Sequence, residues 1–200
     1  MSEFNVEVQG GSSVRLPTGG KYCDRDIIVT ASGGGGAVDE VGKFLKENLT
    51  GLFFFKNETI TETPLIDCSN IAYFTNAFQG CSKLKTIRLS NTHKVSDWTA
   101  CFYGIDVETI ETLDFSGASQ IPISCFNGCS KLANLKIVAE TISKSFPINS
   151  TARLTAESVQ SIVDGLAYVT TSQNLTLYKD VVVTDNQKQV IRDKGWTLIQ

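Results

Sequence analysis

The side chains able to do covalent or metal chemistry are few in this chain, and their spacing does not assemble a reaction centre. His93 is the only histidine of the 200 residues and lies in the polar stretch Asn91-Thr92-His93-Lys94. No serine or cysteine constellation accompanies it, so it reads as a solvated loop residue and not as a general base. Cys125-x-x-x-Cys129 offers half of a metal site, but no Cys-x-x-Cys and no second histidine complete a ligand set. The four glycines Gly33 to Gly36 are not followed by Gly-Lys-Ser/Thr and so do not form a phosphate loop. No Asp-rich calcium loop is present. The acidic residues are too scattered to nominate a glycosidase acid and nucleophile. The expectation is a protein that is not an enzyme, with no catalytic, cofactor-binding or metal-binding residues.

What is ordered in the sequence is a repeat. Phe78-Gln79-Gly80-Cys81-Ser82-Lys83-Leu84 recurs as Phe126-Asn127-Gly128-Cys129-Ser130-Lys131-Leu132, 48 residues on. Halfway between stands a degraded copy, Cys101-Phe102-Tyr103-Gly104, so that Phe78, Phe102 and Phe126 are spaced at 24 residues. A fixed period of this size marks stacked supersecondary units. Each copy leads into a strand signature, Leu84-x-x-Ile87-x-Leu89, Ile110-x-x-Leu113-x-Phe115 and Leu132-x-x-Leu135-x-Ile137. This alignment gives the middle unit two extra residues between Gly104 and Ile110, placed on a loop, and sets Ile87, Leu113 and Leu135 in register. The three phenylalanines are expected to stack as a buried column. Cys81 and Cys129 share one repeat position, and Cys101 and Cys125 another. Cysteines recurring in this way read as small buried packing residues with free thiols.

The rest of the chain divides around this stack. Residues 1–31 read as a small β module, with Asn5 to Gln9 and Ile27 to Thr30 as strands and Gly10-Gly11 and Pro17 to Gly20 as turns. Thirty residues bury little core alone, so the module is expected to lean on a partner. Residues 32–37 read as a glycine-rich linker. Residues 38–200 form the repeat domain: a cap over 38–64, the repeats over 65–148 and a C-terminal cap over 149–200. The first cap is expected to hold a helix over Ala37 to Asn48, a buried segment at Phe53 to Phe55, and a weak strand copy, Ile60-x-x-Thr63-x-Leu65. In the last cap, Thr155 N-caps a helix with the apolar face Val159, Ile162, Val163 and Leu166. Asn174 to Tyr178 is a strand. Thr184 and Gln187 form a capping box, Gly195 stops that helix, and Trp196 to Ile199 closes the sheet.

The net charge of −3 and the absence of a basic patch argue against a nucleic-acid partner. No apolar run approaches the ~20 residues of a membrane-spanning helix. Met1-Ser2-Glu3-Phe4-Asn5 has neither the basic nor the apolar part of a secretory signal. Adjacent repeats set equivalent residues side by side. Arg88, Asp114 and Lys136 then make one charged ladder, and Lys85 and Glu111 an opposed pair. Such ladders serve as cross-strand pairs or as a polar face that meets a receptor. Tyr73, Trp98 and Tyr103 lie near repeat turns, where they either pack inward or stack on sugar rings. The candidate partner-binding surface is therefore Lys85, Arg88, Trp98, Tyr103, Glu111, Asp114 and Lys136.

The unit Phe-x-Gly-Cys-x-x-Leu-x-x-Ile-x-Leu resembles the BspA-like class of leucine-rich repeats over residues 65–148. These repeats occur in bacterial surface proteins and in proteins encoded by phages and prophages. Val14 to Thr30 resembles a short module near the N-termini of phage tail and other minor structural proteins. Leu154 to Val163, Thr184 to Gln189 and Lys194-Gly195-Trp196-Thr197-Leu198 resemble endings on the same sort of protein. The resemblance implies an α/β leucine-rich-repeat solenoid of short parallel strands and a 24-residue period, with a small N-terminal β module and an α/β C-terminal cap. It implies no catalytic residues. It also implies a virion location, with residues 1–31 attached to other virion proteins as a homo-oligomer and the repeats facing a host surface glycan or protein. A bacterial surface adhesin of the same repeat class, or a decoration or assembly protein of the virion, are the other readings.

Overall fold

The computed structural model describes residues 5–7, 11–18, 25–32, 54, 60–63 and 65–200. The expected linker beyond Ser32, the helix over Ala37 to Asn48, Phe53, Phe55 and Cys23 lie outside the described residues. The described chain is mixed α/β, with short strands, mostly parallel, and few helices.

At the N-terminus β1 (Asn5–Glu7), β2 (Gly11–Thr18) and β3 (Arg25–Ser32) form a sheet of order β1-β3-β2. β1 runs parallel to β3, and β2 runs antiparallel to it. Gly11, Pro17 and Thr18, read as turn residues, lie in a strand: Gly11 pairs with Ser32, and Pro17 and Thr18 with Asp26 and Arg25, while Gly10, Gly19 and Gly20 lie outside the described residues. Pro17 lies on β2, an edge strand of the described sheet, which is where proline is accommodated in sheets.

The repeat region builds a second sheet from β4 (Ile66–Asp67), β5 (Thr86–Ser90), β6 (Thr109–Leu113) and β7 (Asn134–Ile137). They pair in sequence order, all parallel. Phe78 stacks on Phe54 and on Phe102, with ring centroids 5.2 and 5.6 Å apart, and Phe102 stacks on Phe126 at 5.2 Å. The column is fully enclosed. Gly80, Gly104 and Gly128 follow these rings at φ +76, +66 and +82, the left-handed region that a side chain disfavours. A Cβ on Gly128 would also sit 3.0 Å from the Cα of Gly104. Both facts explain the glycine of the Phe-x-Gly motif. The motif cysteines close the same corner: the Sγ of Cys81 donates to the Phe54 carbonyl and that of Cys129 to the Phe102 carbonyl, at 2.9 and 2.8 Å. All five described cysteines are buried free thiols.

The strand register differs from the expected one. Ile87 pairs with Ile110, and Ile110 with Leu135, whereas Leu113 pairs with Ile137. The middle unit has no inserted loop. Phe102 to Ile110 is eight residues, where Phe78 to Ile87 and Phe126 to Leu135 are nine. Val107, and not Ile110, shares the buried row of Leu84 and Leu132. The residue missing before β6 returns inside it as a bulge between Ile110 and Leu113, where Thr112 has φ +20. A bulge places two residues opposite one, so the 24-residue period is restored beyond it. Upstream, Leu65 is 45% exposed, and Ile66 points inward beside Leu89 instead.

The last sheet, β8 (Phe146–Ile148), β9 (Gln173–Leu177) and β10 (Trp196–Ile199), has order β10-β9-β8, all parallel. Two helices accompany it, α1 (Ala156–Gly165) and α2 (Asp185–Asp193). Thr155 accepts the Ser158 N–H as N-cap of α1, and Val159, Ile162 and Val163 are buried along one face of the helix, with Leu166 just beyond it. Thr184 and Gln187 make the reciprocal capping box of α2. Helix α1 also finishes the repeat sheet. The Ser158 hydroxyl accepts the Leu135 N–H and donates to the Ala133 carbonyl, and the Ser161 hydroxyl accepts the Ile137 N–H. Two serines three residues apart lie on one helix face, and here they replace the strand that would otherwise pair with β7. At the far end of α1, the buried Lys194 ammonium donates to the carbonyls of Val163, Asp164 and Leu166.

Candidate interaction surface

Side chains alternate across a strand, so the parallel sheet buries one face and exposes the other. Its outward rows are Thr86, Thr109 and Asn134, and Arg88, Glu111 and Lys136. Asn134 donates its side-chain amide to the Thr109 hydroxyl at 3.3 Å. Arg88 faces Glu111 at 3.5 Å, and its Nε is shielded from solvent without a hydrogen bond, so charge alone holds this pair. Asp114 is therefore not the rung between Arg88 and Lys136. It sits beyond the bulge, where its carboxylate accepts the Ser116 N–H and hydroxyl. Nor does Lys85 pair with Glu111. Its Nζ lies 3.9 Å from Glu108 and donates to the Asp106 carbonyl. Lys131 completes this cluster with a 2.6 Å bond to the Asp106 carboxylate. The hydrogen bond from Lys131 outweighs the modest desolvation and, with the nearby cations, holds Asp106 below the usual carboxylate range. Neither expected pairing forms, because β6 enters one residue early before its bulge and regains the 24-residue period beyond it, so Glu111 and Asp114 both miss the partners that the apolar alignment gave them.

Trp98 is not a surface residue. It is fully buried, edge-on to Phe74 and tilted against Phe115, and its indole N–H donates to the Val95 carbonyl at 3.0 Å. A buried indole needs such a partner. Tyr103, 41% exposed, does reach solvent, and Lys136 is exposed with no ion-pair partner among the described residues. His93 is exposed in a 3-10 turn over Thr92–Lys94.

A second outward row lies away from the charged strands. Tyr73, Asp97 and Gln120 pair in parallel as isolated rungs. Their inward neighbours Phe74, Trp98 and Ile121 are buried. Hydroxyls tie the rungs together: Ser96 donates to the Ala72 carbonyl and Ser119 to the Ser96 carbonyl. The Asp97 carboxylate accepts the Thr99 N–H at 2.9 Å and the Thr75 hydroxyl at 2.8 Å. Burial pushes this carboxyl up, but the bonds from Thr99 and Thr75 outweigh it and leave the group below its ordinary value. The row was legible in part, since Tyr73-Phe74-Thr75 and Asp97-Trp98-Thr99 stand at the same 24-residue period. Glu108, Asp106 and Lys131 carried no such signal, because they become neighbours only through the shortened middle unit.

Among the described residues no cluster of histidine, cysteine, aspartate and glutamate has the grouping needed to hold a metal ion, and no helix is long and apolar enough to cross a membrane. No family model, curated protein or solved structure matches the chain.

Proposed function

We propose that this chain is a non-enzymatic interaction protein of a phage virion, whose leucine-rich-repeat-type solenoid presents a surface to the bacterial host. The observation that carries the reading is the four-stranded parallel ladder with its stacked phenylalanine column. Each repeat adds one rung of outward side chains at a fixed spacing, which is how repeat stacks build extended binding faces. The virion location rests on the resemblance of Val14 to Thr30 and of the C-terminal segments to phage minor structural proteins. In this reading residues 1–31 attach the chain to other virion components as a homo-oligomer. Several copies then turn weak single contacts into firm attachment. The runners-up are a bacterial surface adhesin of the same repeat class and a decoration or assembly protein of the particle.

The test is made on particles. The tagged full chain should co-purify with assembled virions and be located on the tail by labelled microscopy, and a variant lacking residues 1–31 should be lost from them. Particles without the protein should attach to host cells poorly. Normal attachment by such particles would refute the receptor role and leave a decoration role.

A further inference from the structure

We propose that the outward row Tyr73–Asp97–Gln120 is a carbohydrate subsite that takes the sugar rings of a neutral glycan. The inference rests on the reading of the repeats as a binding surface, and it moves the contact from the charged sheet face to this row. On the sheet face Lys85, Arg88 and Lys131 are each paired with a carboxylate at 3.9, 3.5 and 2.6 Å. Those charges are largely spent on one another, and Lys136 is left as the unpaired cation of the outward strand rows among the described residues. In the row the groups stay available. The Tyr73 ring is 56% exposed, and an aromatic face offers apolar surface to the C–H side of a sugar with a hydroxyl at its edge. The Asp97 carboxylate accepts the Thr99 N–H and the Thr75 hydroxyl, and the Thr99 side chain also hydrogen-bonds to it. A carboxylate has about four acceptor sites, so it retains capacity for about one sugar hydroxyl. Gln120, exposed on the next rung, brings both donor and acceptor.

Two features make the row a platform and not a loose loop. Adjacent rungs lie about 4.8 Å apart, a spacing on the scale of one sugar ring. Phe74, Trp98 and Ile121, the next residues along each rung, are locked in the core, so the outward side chains start from a fixed backbone. The chemistry also sets the class of ligand. The row holds a carboxylate and no cation, so it disfavours a phosphodiester polymer and suits uncharged sugars.

The test uses the full chain with N-acetylglucosamine hexamer and cellohexaose as neutral probes and poly(glycerol phosphate) as the anionic one, followed by calorimetry and by NMR of the tyrosine ring signals. We expect at least one neutral hexasaccharide to bind. Tyr73→Ala should weaken it about tenfold and Tyr73→Phe should change it little, because the ring supplies the contact. Gln120→Ala should weaken it several-fold, and Arg88→Ala on the sheet face should leave it unchanged. Binding of neither neutral probe, wild-type binding by both Tyr73→Ala and Gln120→Ala, or preference for poly(glycerol phosphate) would overturn the proposal. Attachment to host cells separates it from the broader reading. Cell attachment untouched by Tyr73→Ala removes the subsite and leaves host binding intact. A chain that takes the oligosaccharide but ignores host cells keeps the subsite and removes the host reading.

Discussion

Phe102→Ala is the sharpest perturbation of this fold. Phe102 is fully buried in the middle of the ring column. Phe78 lies 5.6 Å away on one side at 9°, Phe126 lies 5.2 Å away on the other at 26°, and Trp98 leans on it at 6.4 Å. Truncating a buried phenylalanine costs about 3–5 kcal/mol, more where the site cannot collapse. Here it cannot collapse easily, because both faces of the cavity are rigid rings held by hydrogen-bonded rungs. The backbone bonds from Phe78 N–H to the Cys101 carbonyl and from Phe102 N–H to the Cys125 carbonyl fix the spacing. The expected loss is therefore at the upper end, about 4–5 kcal/mol. For a chain of this size each kcal/mol lowers the melting temperature by about 2–4 °C, which makes the shift roughly 8–20 °C. The assay is urea denaturation followed by circular dichroism, with a thermal melt alongside. Tyr103→Ala, one residue on and 41% exposed, is the control and should change stability by less than about 0.5 kcal/mol. A Phe102→Ala loss below about 1 kcal/mol, or one equal to that of Tyr103→Ala, would refute the column as the centre of stability.

Three further outcomes follow from the same packing. Burial pushes the thiols of Cys68 and Cys129 up from 9.0 to about 12, and those of Cys101 and Cys125 well above 9.0. The folded chain therefore keeps protons that the unfolded chain releases, so this stability is complete below the unfolded thiol value and is lost as pH rises towards about 12. The urea midpoint should fall between about pH 8 and about pH 11, and a flat profile would count against buried thiols. Ser158→Ala should cost about 1–3 kcal/mol, because it strands the buried Leu135 N–H; hydrogen exchange at Leu135 should quicken, and an unchanged rate would sink the idea that α1 seals the sheet edge. Lys194→Met should cost about 2–3 kcal/mol by removing a charged donor from three carbonyls, read as a lower denaturation midpoint with the C-terminal sheet losing exchange protection first.

Local chemistry was legible in the sequence wherever a residue's role depends on its near neighbours or on the period itself. Thr155 and the Thr184–Gln187 box cap helices because their partners lie three residues away. The phenylalanines stack because a strict 24-residue period brings equivalent positions together, and the Phe-x-Gly glycines turn left-handed at each pass. The register of β6 was decided only by the tertiary structure. Ile110-x-x-Leu113-x-Phe115 fits the apolar pattern of the flanking units by residue type, and that fit assigns the spare residues to the loop before β6, whereas the chain puts one extra residue inside β6 as a bulge. The shorter loop and the bulge at Thr112 move Ile110 beside Ile87 and Glu111 beside Arg88, since a shift in pairing carries every side chain with it. The same limit governed Trp98. An aromatic beside a repeat turn can point either way in sequence, and the space between Phe74, Phe102 and Phe115 turned it inward. Tyr73, at the same distance from its own phenylalanine as Asp97 is from Phe102, was turned outward because Phe74 beside it fills the core.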